Sequence, residues 1–331
     1  MPKLCVIPGD GIGKEVIPAA VEVLRAVVTD LETVEAEAGW ECFQTHGVSV
    51  VAETFEKVSE CGAALFGAVS SPARKVEGYR SAVVTLRRKL DLYANVRPVK
   101  SLPVVSARTD VDMILVRENT EDLYIGEEQS DGETATATRR ITRHASRRVA
   151  QRALELAFLM GRKRLTIVHK ANILPLSDGL FRDSVRQEVE QAAAQGLTLL
   201  VDELLVDTAA MKMVSAPQEF DLIVTTNLYG DILSDAAAPW CGGLGMAPSL
   251  NWGDGLALAE PVHGSAPDIA GKGIANPIAA ILSAALLARY VWHQKEAAQR
   301  IEAAVQRFLA RNGLDKDYRT ESITKQIIQN L

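Results

Sequence analysis

At 331 residues the chain is long enough for two domains of about 150 residues each, and its 47% hydrophobic fraction is that of an ordinary globular protein rather than a disordered or fibrous one. Lysine and arginine number 36 against 42 aspartate and glutamate, a net charge of −6 that argues against a duplex-DNA partner, whose binding face must be positive. Cys5, Cys42, Cys61 and Cys241 form neither a C-x-x-C pair nor a zinc-type cluster, so a reducing cytoplasm is the expected location.

The opening stretch KLCVIPGDGIGKEVIPAAVEVLRAVV runs from a β-type apolar segment through a Gly/Asp turn into a periodic helix. The apolar run before the turn is too short for a signal peptide. The turn Gly9-Asp10-Gly11-Ile12-Gly13 suggests a dinucleotide fingerprint, but Lys14 stands where the third glycine of G-x-G-x-x-G would fall, and the phosphate loop G-x-x-x-x-G-K-[ST] does not match either. A tight strand-end turn and the wall of a ligand crevice are equal readings here. Further strands are expected over 31–37 and 62–69, the latter ending in Ser70-Ser71-Pro72, after which the chain becomes basic and polar.

After Arg97-Pro98, strands are expected over 111–116 and 165–168, with a helix over 144–160 between them. The polar section EEQSDGETATATRRIT reads as a flexible loop or, from alternating Thr134, Thr136 and Thr138, as an exposed hairpin arm. Residues 220–226 form the last expected strand and feed a helix through Asn227-Leu228-Tyr229-Gly230. The chain is then glycine-rich until Asn276-Pro277, where an Ala/Leu-rich helix begins, followed by helical segments over 295–309 and 320–331. The apolar stretch 278–288 is about half of the ~20 residues a membrane span needs, so no membrane partner is expected. Strands alternating with helices predict a mostly parallel sheet, with ligands outside the carboxyl ends of its strands.

Asp231 and Asp235 are four apart in the helix after a strand, so both carboxylates share one face. A cation between them would relieve their repulsion; a solvated acidic helix start is the competing reading. Asp207, near the start of another periodic segment, could complete a hard-oxygen site for Mg²⁺ or Mn²⁺. Arg87, Arg88, Arg97 and Arg117 lie near turns or strand ends, where a planar guanidinium suits bidentate carboxylate recognition, although any one of them could be plain surface charge. Lys170 and Tyr124 follow expected strands and could exchange protons with a substrate. His263 lies in the turn-rich run Glu260-Pro261-Val262-His263-Gly264-Ser265-Ala266-Pro267-Asp268, a plausible nucleotide-contacting loop. His46, His144, His169 and His293 lack ligand spacing and read as surface or supporting groups.

Together the strings GDGIGKEV, LRRKLDLYANVRP, VRENTEDLY, HKAN, VTTNLYGDILSD and EPVHGSAPDIAGKGIANP resemble the β-decarboxylating dehydrogenase family, which comprises isopropylmalate, isocitrate, homoisocitrate and tartrate enzymes. The resemblance spans essentially the whole chain, and its last string is long and specific. It implies an α/β, two-lobed isopropylmalate-dehydrogenase-like fold with a mixed sheet, binding its dinucleotide without the standard Rossmann fingerprint. One lobe would hold residues 1–97 and 241–331 and bind the cofactor. The other, 98–240, would be an inserted dimerisation and metal/substrate lobe with an intersubunit arm at 127–142.

Carried over position by position, the resemblance implies that Arg87, Arg97 and Arg117 hold substrate carboxylates, with Ser71, Val84 and Asn172 also at the substrate. Asp231 and Asp235 would bind Mg²⁺ or Mn²⁺, with Asp207 from the neighbouring subunit. Lys170, also from the neighbour, would take the hydroxyl proton as hydride leaves, and Tyr124 would protonate the enol carbon. Ile12, Asn227, Glu260, His263, Gly264, Ser265, Ala266, Asp268 and Asn276 would contact the cofactor. Asp268 favours NAD, since it can accept from ribose hydroxyls and would repel a 2′-phosphate. An obligate homodimer is implied, with a tetramer as the alternative.

The substrate loop reads SSPARKVEGYRSAVVTLR, and with RRKLDLYANVRPVKS it is similar to members acting on homoisocitrate in the aminoadipate route to lysine, which convert it to 2-oxoadipate and CO₂. Isopropylmalate members typically have a more apolar, leucine-containing helix here, and isocitrate members a serine and an asparagine near the substrate. Val84 stands where some broad-specificity members have an arginine, which leaves Arg74, Lys75, Tyr79 or Arg80 as candidates for the distal carboxylate of a hydroxy tri- or dicarboxylate. Activity on 3-isopropylmalate or isocitrate, and a non-enzymatic α/β interaction protein, are the alternatives.

Overall fold

A computed structural model describes residues 1–72, 74, 76–314 and 318–331. They divide into two compact units, one made of Met1–Leu92, Ser101–Thr109 and Pro239–Leu331, the other of Tyr93–Lys100 and Asp110–Ala238. In chain order the first unit begins with β1 (Lys3–Gly9), α1 (Gly13–Arg25), β2 (Glu32–Glu35), α2 (Trp40–His46), α3 (Ala52–Cys61), β3 (Ala63–Ala68) and α4 (Ala82–Lys89). The second unit then supplies β4 (Ala94–Lys100), β5 (Asp112–Glu118), β6 (Glu128–Ser130), β7 (Ala135–Ala137), α5 (Arg143–Met160), β8 (Arg164–His169), α6 (Ser177–Ala194), β9 (Leu200–Leu205), α7 (Val206–Ser215), β10 (Leu222–Thr225) and α8 (Asn227–Ala237). The chain closes in the first unit with β11 (Pro248–Trp252), β12 (Ala257–Pro261), α9 (Ile278–Leu286), α10 (Lys295–Asn312) and α11 (Thr320–Gln329).

In the first unit the strand order is β2-β1-β3-β12-β11. Only β11 runs antiparallel, as one arm of a hairpin with β12. The strand β3 (AALFGA) is buried at all six positions, the pattern of a strand covered on both faces. Cys5, Ile7, Phe66, Leu86, Leu92 and Leu258 share one core cluster there. The helix α9 has an apolar residue at almost every position and is buried all round, which explains a hydropathy that elsewhere would suggest a membrane. No helix among the described residues is long and apolar enough to cross one.

The second unit orders its strands β4-β5-β10-β8-β9, all parallel to their neighbours except β4. The strands are therefore mostly parallel, as the alternation of elements predicts, and the antiparallel pairings of β4 and β11 make the sheet mixed, as the resemblance implies. A unit boundary at residue 97 would cut β4, which pairs along its whole length with β5, so the strand goes with the second unit. The polar section forms a hairpin, β6 paired antiparallel with β7, exposed at every strand position. Four strands escape the sequence reading, β4, β9, β11 and β12, and so does the long helix α6.

Candidate active site

Strand alternation sets the floor of the site in the second unit. Asn95 and Arg97 are two apart on β4, and Arg117 on β5 pairs directly opposite Asn95, so all three side chains share one face of the β4–β5 ladder. Arg117 is only 1% exposed and Arg97 7%. Two buried guanidinium groups require paired anions, and α8 supplies them. Asp231 accepts from Arg117 Nη1 and from Arg97 Nη2 at 3.4 Å, while Asp235 accepts from Arg97 Nη1 at 3.1 Å. Asn95 and Ser234 take further Arg97 donors, and Asn227 accepts from Arg117 Nε at 2.9 Å.

Tyr124 closes the group. Its hydroxyl donates to Asp231 Oδ2, and its ring lies under the Arg117 guanidinium at 4.8 Å. Burial, reinforced by the Asp231 acceptor, raises the phenol above its ordinary pKa, so it holds its proton at neutral pH. Asp231 and Asp235 are hard-oxygen donors on one helical face, with Asp235 more than half exposed, a donor set that suits Mg²⁺ or Mn²⁺. Among the described residues, however, no group of three or more His, Cys, Asp or Glu side chains converges as a metal site.

Asp207 does not join that pair. It stands in the first turn of α7 and accepts from Lys170 Nζ, an ion pair that holds its carboxyl below the usual range. Lys170 follows β8, and its backbone N–H is fixed by the fully buried Asp178. His169 is buried, which leaves the second of its two readings, surface or supporting group, with Nδ1 accepting from the Ala171 N–H. Asn172 is exposed beside this turn.

A second cluster lies in the first unit. Arg87, on α4, donates to Glu260 of β12 at 2.7 Å, and Asn251 of β11 donates to the same Glu260 oxygen at 2.8 Å. Val84 is half-buried three residues before Arg87, hence on the same helical face. Asp10, 2% exposed, accepts from the N–H groups of Trp40, Glu41 and Ser70 and so knots the opening turn to α2 and to the start of the 70–81 loop. Ser70 Oγ donates to Ser265 Oγ at 2.8 Å, Ile12 N–H donates to Ser265 O at 2.9 Å, and Ser71 is exposed beside them. Tyr79 donates to Ser70 O at 3.1 Å and packs edge-on against Trp40 and Phe43.

His263 is held in one tautomer. Its Nδ1 lies 3.0 Å from the Gly264 carbonyl, which can only accept, so Nδ1 carries the proton. The buried Nε2 then presents a lone pair with no partner among the described residues, and burial lowers the pKa, keeping the ring neutral. Asn276 accepts from Ile278 N–H, Gly264 and Asp268 are exposed, and Ala266 has a positive φ of 39°. Sequence alone missed the supporting groups Asp10, Asn95, Asp122, Asp178 and Ser234. Of these only Asn95 stands close to a residue singled out from the sequence, two positions before Arg97.

The isocitrate/isopropylmalate dehydrogenase family model matches residues 3–331. An isocitrate/homoisocitrate dehydrogenase of Thermus thermophilus is 53% identical over 334 residues, covering 99% of this chain and 98% of the relative. A 3-isopropylmalate dehydrogenase of Methanothermobacter thermautotrophicus is 50% identical over 309 residues, covering 93% and 91%. The crystal structure of isocitrate dehydrogenase from Methylococcus capsulatus is similar at a TM-score of 0.92 and 39% identity, covering 100% of this chain and 99% of that one.

Proposed function

The chain belongs to the isocitrate/isopropylmalate dehydrogenase family of oxidative decarboxylating enzymes, and from that membership we propose that its own reaction is the NAD-dependent, divalent-metal-dependent conversion of homoisocitrate to 2-oxoadipate and CO₂. The observation that carries the mechanism is the convergence of Arg97, Arg117 and Tyr124 on the Asp231–Asp235 pair. Arg97 and Arg117 hold substrate carboxylates, since their forks match that geometry, and Arg87 takes the same role on the strength of the family resemblance. Lys170 would accept the hydroxyl proton of the hydroxy acid, for which a nicotinamide cofactor, when bound, would supply the hydride acceptor. Tyr124, kept protonated by its surroundings, returns a proton to the enol carbon after CO₂ leaves. Asp231 and Asp235 hold Mg²⁺ or Mn²⁺, which when bound stabilises the negative charge that develops on substrate oxygen.

The separation of Asp207 and Lys170 from the Asp231 group supports a homodimer in which these two residues serve the site of a second copy. Exposed apolar side chains on the same elements agree, with Met211 at 60%, Val214 at 66% and Ile232 at 56% exposure. For the cofactor, the partnerless Nε2 of His263 is an acceptor for an adenine amino group. Exposed Asp268 disfavours a 2′-phosphate, which supports NAD over NADP. The four thiols are all free, in keeping with a cytoplasmic enzyme.

For the distal carboxylate of homoisocitrate we assign exposed Arg74 and Arg80. Tyr79 is already committed to Ser70 and the aromatic cluster; Lys75, which lies outside the described residues, stays a candidate beside the two arginines. Half-buried Val84 beside Arg87 favours a second reading, 3-isopropylmalate, because an apolar wall discriminates a methylene by only about 1–3 kcal/mol. Absorbance of reduced nicotinamide, followed with homoisocitrate, isocitrate and 3-isopropylmalate with and without Mg²⁺, tests both. A decisive preference for isopropylmalate would overturn the substrate assignment, and no metal-dependent signal on any of them would overturn the reaction.

A further inference from the structure

The arm hairpin returns into the second unit through Arg139, two residues after β7. Although the strands of the arm are exposed, the Arg139 side chain is only 14% exposed. Its Nε donates to Asp122 Oδ1 at 2.6 Å and its Nη1 to Asp178 Oδ1. Ser177 and Thr226 hydroxyls accept from it at 3.2 Å each, and the Tyr229 ring lies 5.1 Å from its centre. Among the described residues Arg139 is the only cationic side chain paired with Asp122 or Asp178, both of which are 0% exposed.

Each of those carboxylates has its second hold on a different part of the chemistry. Asp122 accepts the N–H of Leu123, which opens the turn carrying Tyr124, at 2.9 Å, and that of Leu228, in the first turn of α8, at 3.0 Å. Asp122 makes these bonds from a strained φ of 70°, so its position is imposed by its partners rather than by its own preference. Asp178 accepts the backbone N–H of Lys170. One guanidinium therefore lies between the group around Tyr124 and Asp231 and the turn around Lys170.

We propose that Arg139 is a positioning residue: by bridging Asp122 and Asp178 it fixes the Tyr124 turn and the start of α8 relative to the Lys170 backbone, so that the root of the arm positions both proton-transfer residues, Tyr124 for the site of its own protomer and Lys170 for that of the second copy. The proposal rests on the dehydrogenase reading for the roles of Tyr124 and Lys170. Removing Arg139 leaves two buried carboxylates facing one another without a cation, and they relax by separating. The separation moves their bonded N–H groups with them. A displacement of about 1 Å at such groups is enough to slow chemistry about 100-fold while the substrate arginines stay in place.

The test compares the full-length wild type with Arg139→Ala and Arg139→Lys, with Arg140→Ala as a control at the exposed neighbouring position. In Arg139→Ala, kcat is expected to fall about 100-fold with KM for the hydroxy acid changed less than about threefold. Millimolar guanidinium chloride should restore part of that loss where equal sodium chloride does not. Arg139→Lys keeps the charge but lacks the fork, should fold where the alanine variant does not, and should show the same split in weaker form. Independently of turnover, backbone amides of Leu123, Leu228 and Lys170 should exchange faster in the Arg139 variants, with those of β5 and β10 unchanged, and Arg140→Ala should leave all of them as in wild type. Protection unchanged at these three amides, or a loss confined to thermal stability with kcat intact, would overturn the proposal. An inactive wild type with the exchange pattern as expected would instead fault the dehydrogenase reading and leave the bridge standing.

Discussion

Gly230 has no room for a side chain because Arg117 lies across it: a Cβ there would sit 2.6 Å from Arg117 Cγ and 2.7 Å from its Cβ. Those are the inner methylenes of a side chain that is 1% exposed, so it cannot swing aside cheaply. Gly230→Ala should therefore cost about 1–3 kcal/mol of stability as overpacking and, by displacing the guanidinium, lower kcat/KM at least tenfold. Thermal melting and steady-state kinetics on the same preparation check it. Unchanged values in both would contradict the close approach.

Lys170 and Tyr124 should separate by partial reaction. Lys170→Ala is expected to slow oxidation of the hydroxy acid by about 10²- to 10⁴-fold while sparing decarboxylation of the matching 2-oxo acid. Tyr124→Phe should do the reverse, impairing proton return to the enol carbon more than substrate binding. Equal losses in every partial reaction would remove the distinction between the two roles.

Glu121 gives stability a pH dependence of known sign. It is 7% exposed, accepts from Thr142 N–H at 2.7 Å, and is pushed up from 4.5 to about 7, chiefly by burial. The folded state thus holds a proton that the unfolded state releases, so stability is greatest below pH 4.5 and is lost as pH rises towards 7, by about 3 kcal/mol in full. Glu121→Gln keeps the acceptor for Thr142 and removes the charge. Relative to wild type it should gain about 2–3 kcal/mol between pH 5 and pH 8, measured by denaturant unfolding at each pH. A difference between the two proteins that stays constant with pH would refute the assignment.

His263 offers a cofactor test that needs no turnover. His263→Ala should weaken NAD binding about tenfold, the order of one hydrogen bond to a buried acceptor, whereas His263→Gln, which retains an acceptor, should lose less. Titration calorimetry with NAD alone reads this directly. Equal affinity in all three proteins would show that Nε2 faces something other than the cofactor.

Much of the site was legible because its signals are local. The four-residue spacing of Asp231 and Asp235 survives as one face of α8, and the turn-rich run around His263 contains no helix. What stayed hidden depends on pairing across long stretches of chain. The hairpin β11–β12 lies in a glycine-dense run whose turns mask two short strands, and β9, with sequence LVDELL, has the spacing of a helix as readily as that of a strand. Asp122 and Asp178 looked like ordinary polar residues until Arg139, from a segment read as surface arm, was found between them. The pairing of Lys170 with Asp207 likewise requires β8 and β9 to be neighbours, which no motif encodes.

The 70–81 loop is pinned at two points. Ser70 is tied by Asp10 and Ser265, and Tyr79 by Trp40, Phe43 and the Ser70 carbonyl. Ser70 is held from outside the loop by Asp10 and Ser265, and Tyr79 by Trp40 and Phe43, so an exposed residue between them such as Arg74 can change without disturbing the opening turn or the Ser265 segment. Relatives named for different hydroxy acids, at 53% and 50% identity, are compatible with a protein in which a few exposed positions change while their anchors stay in place.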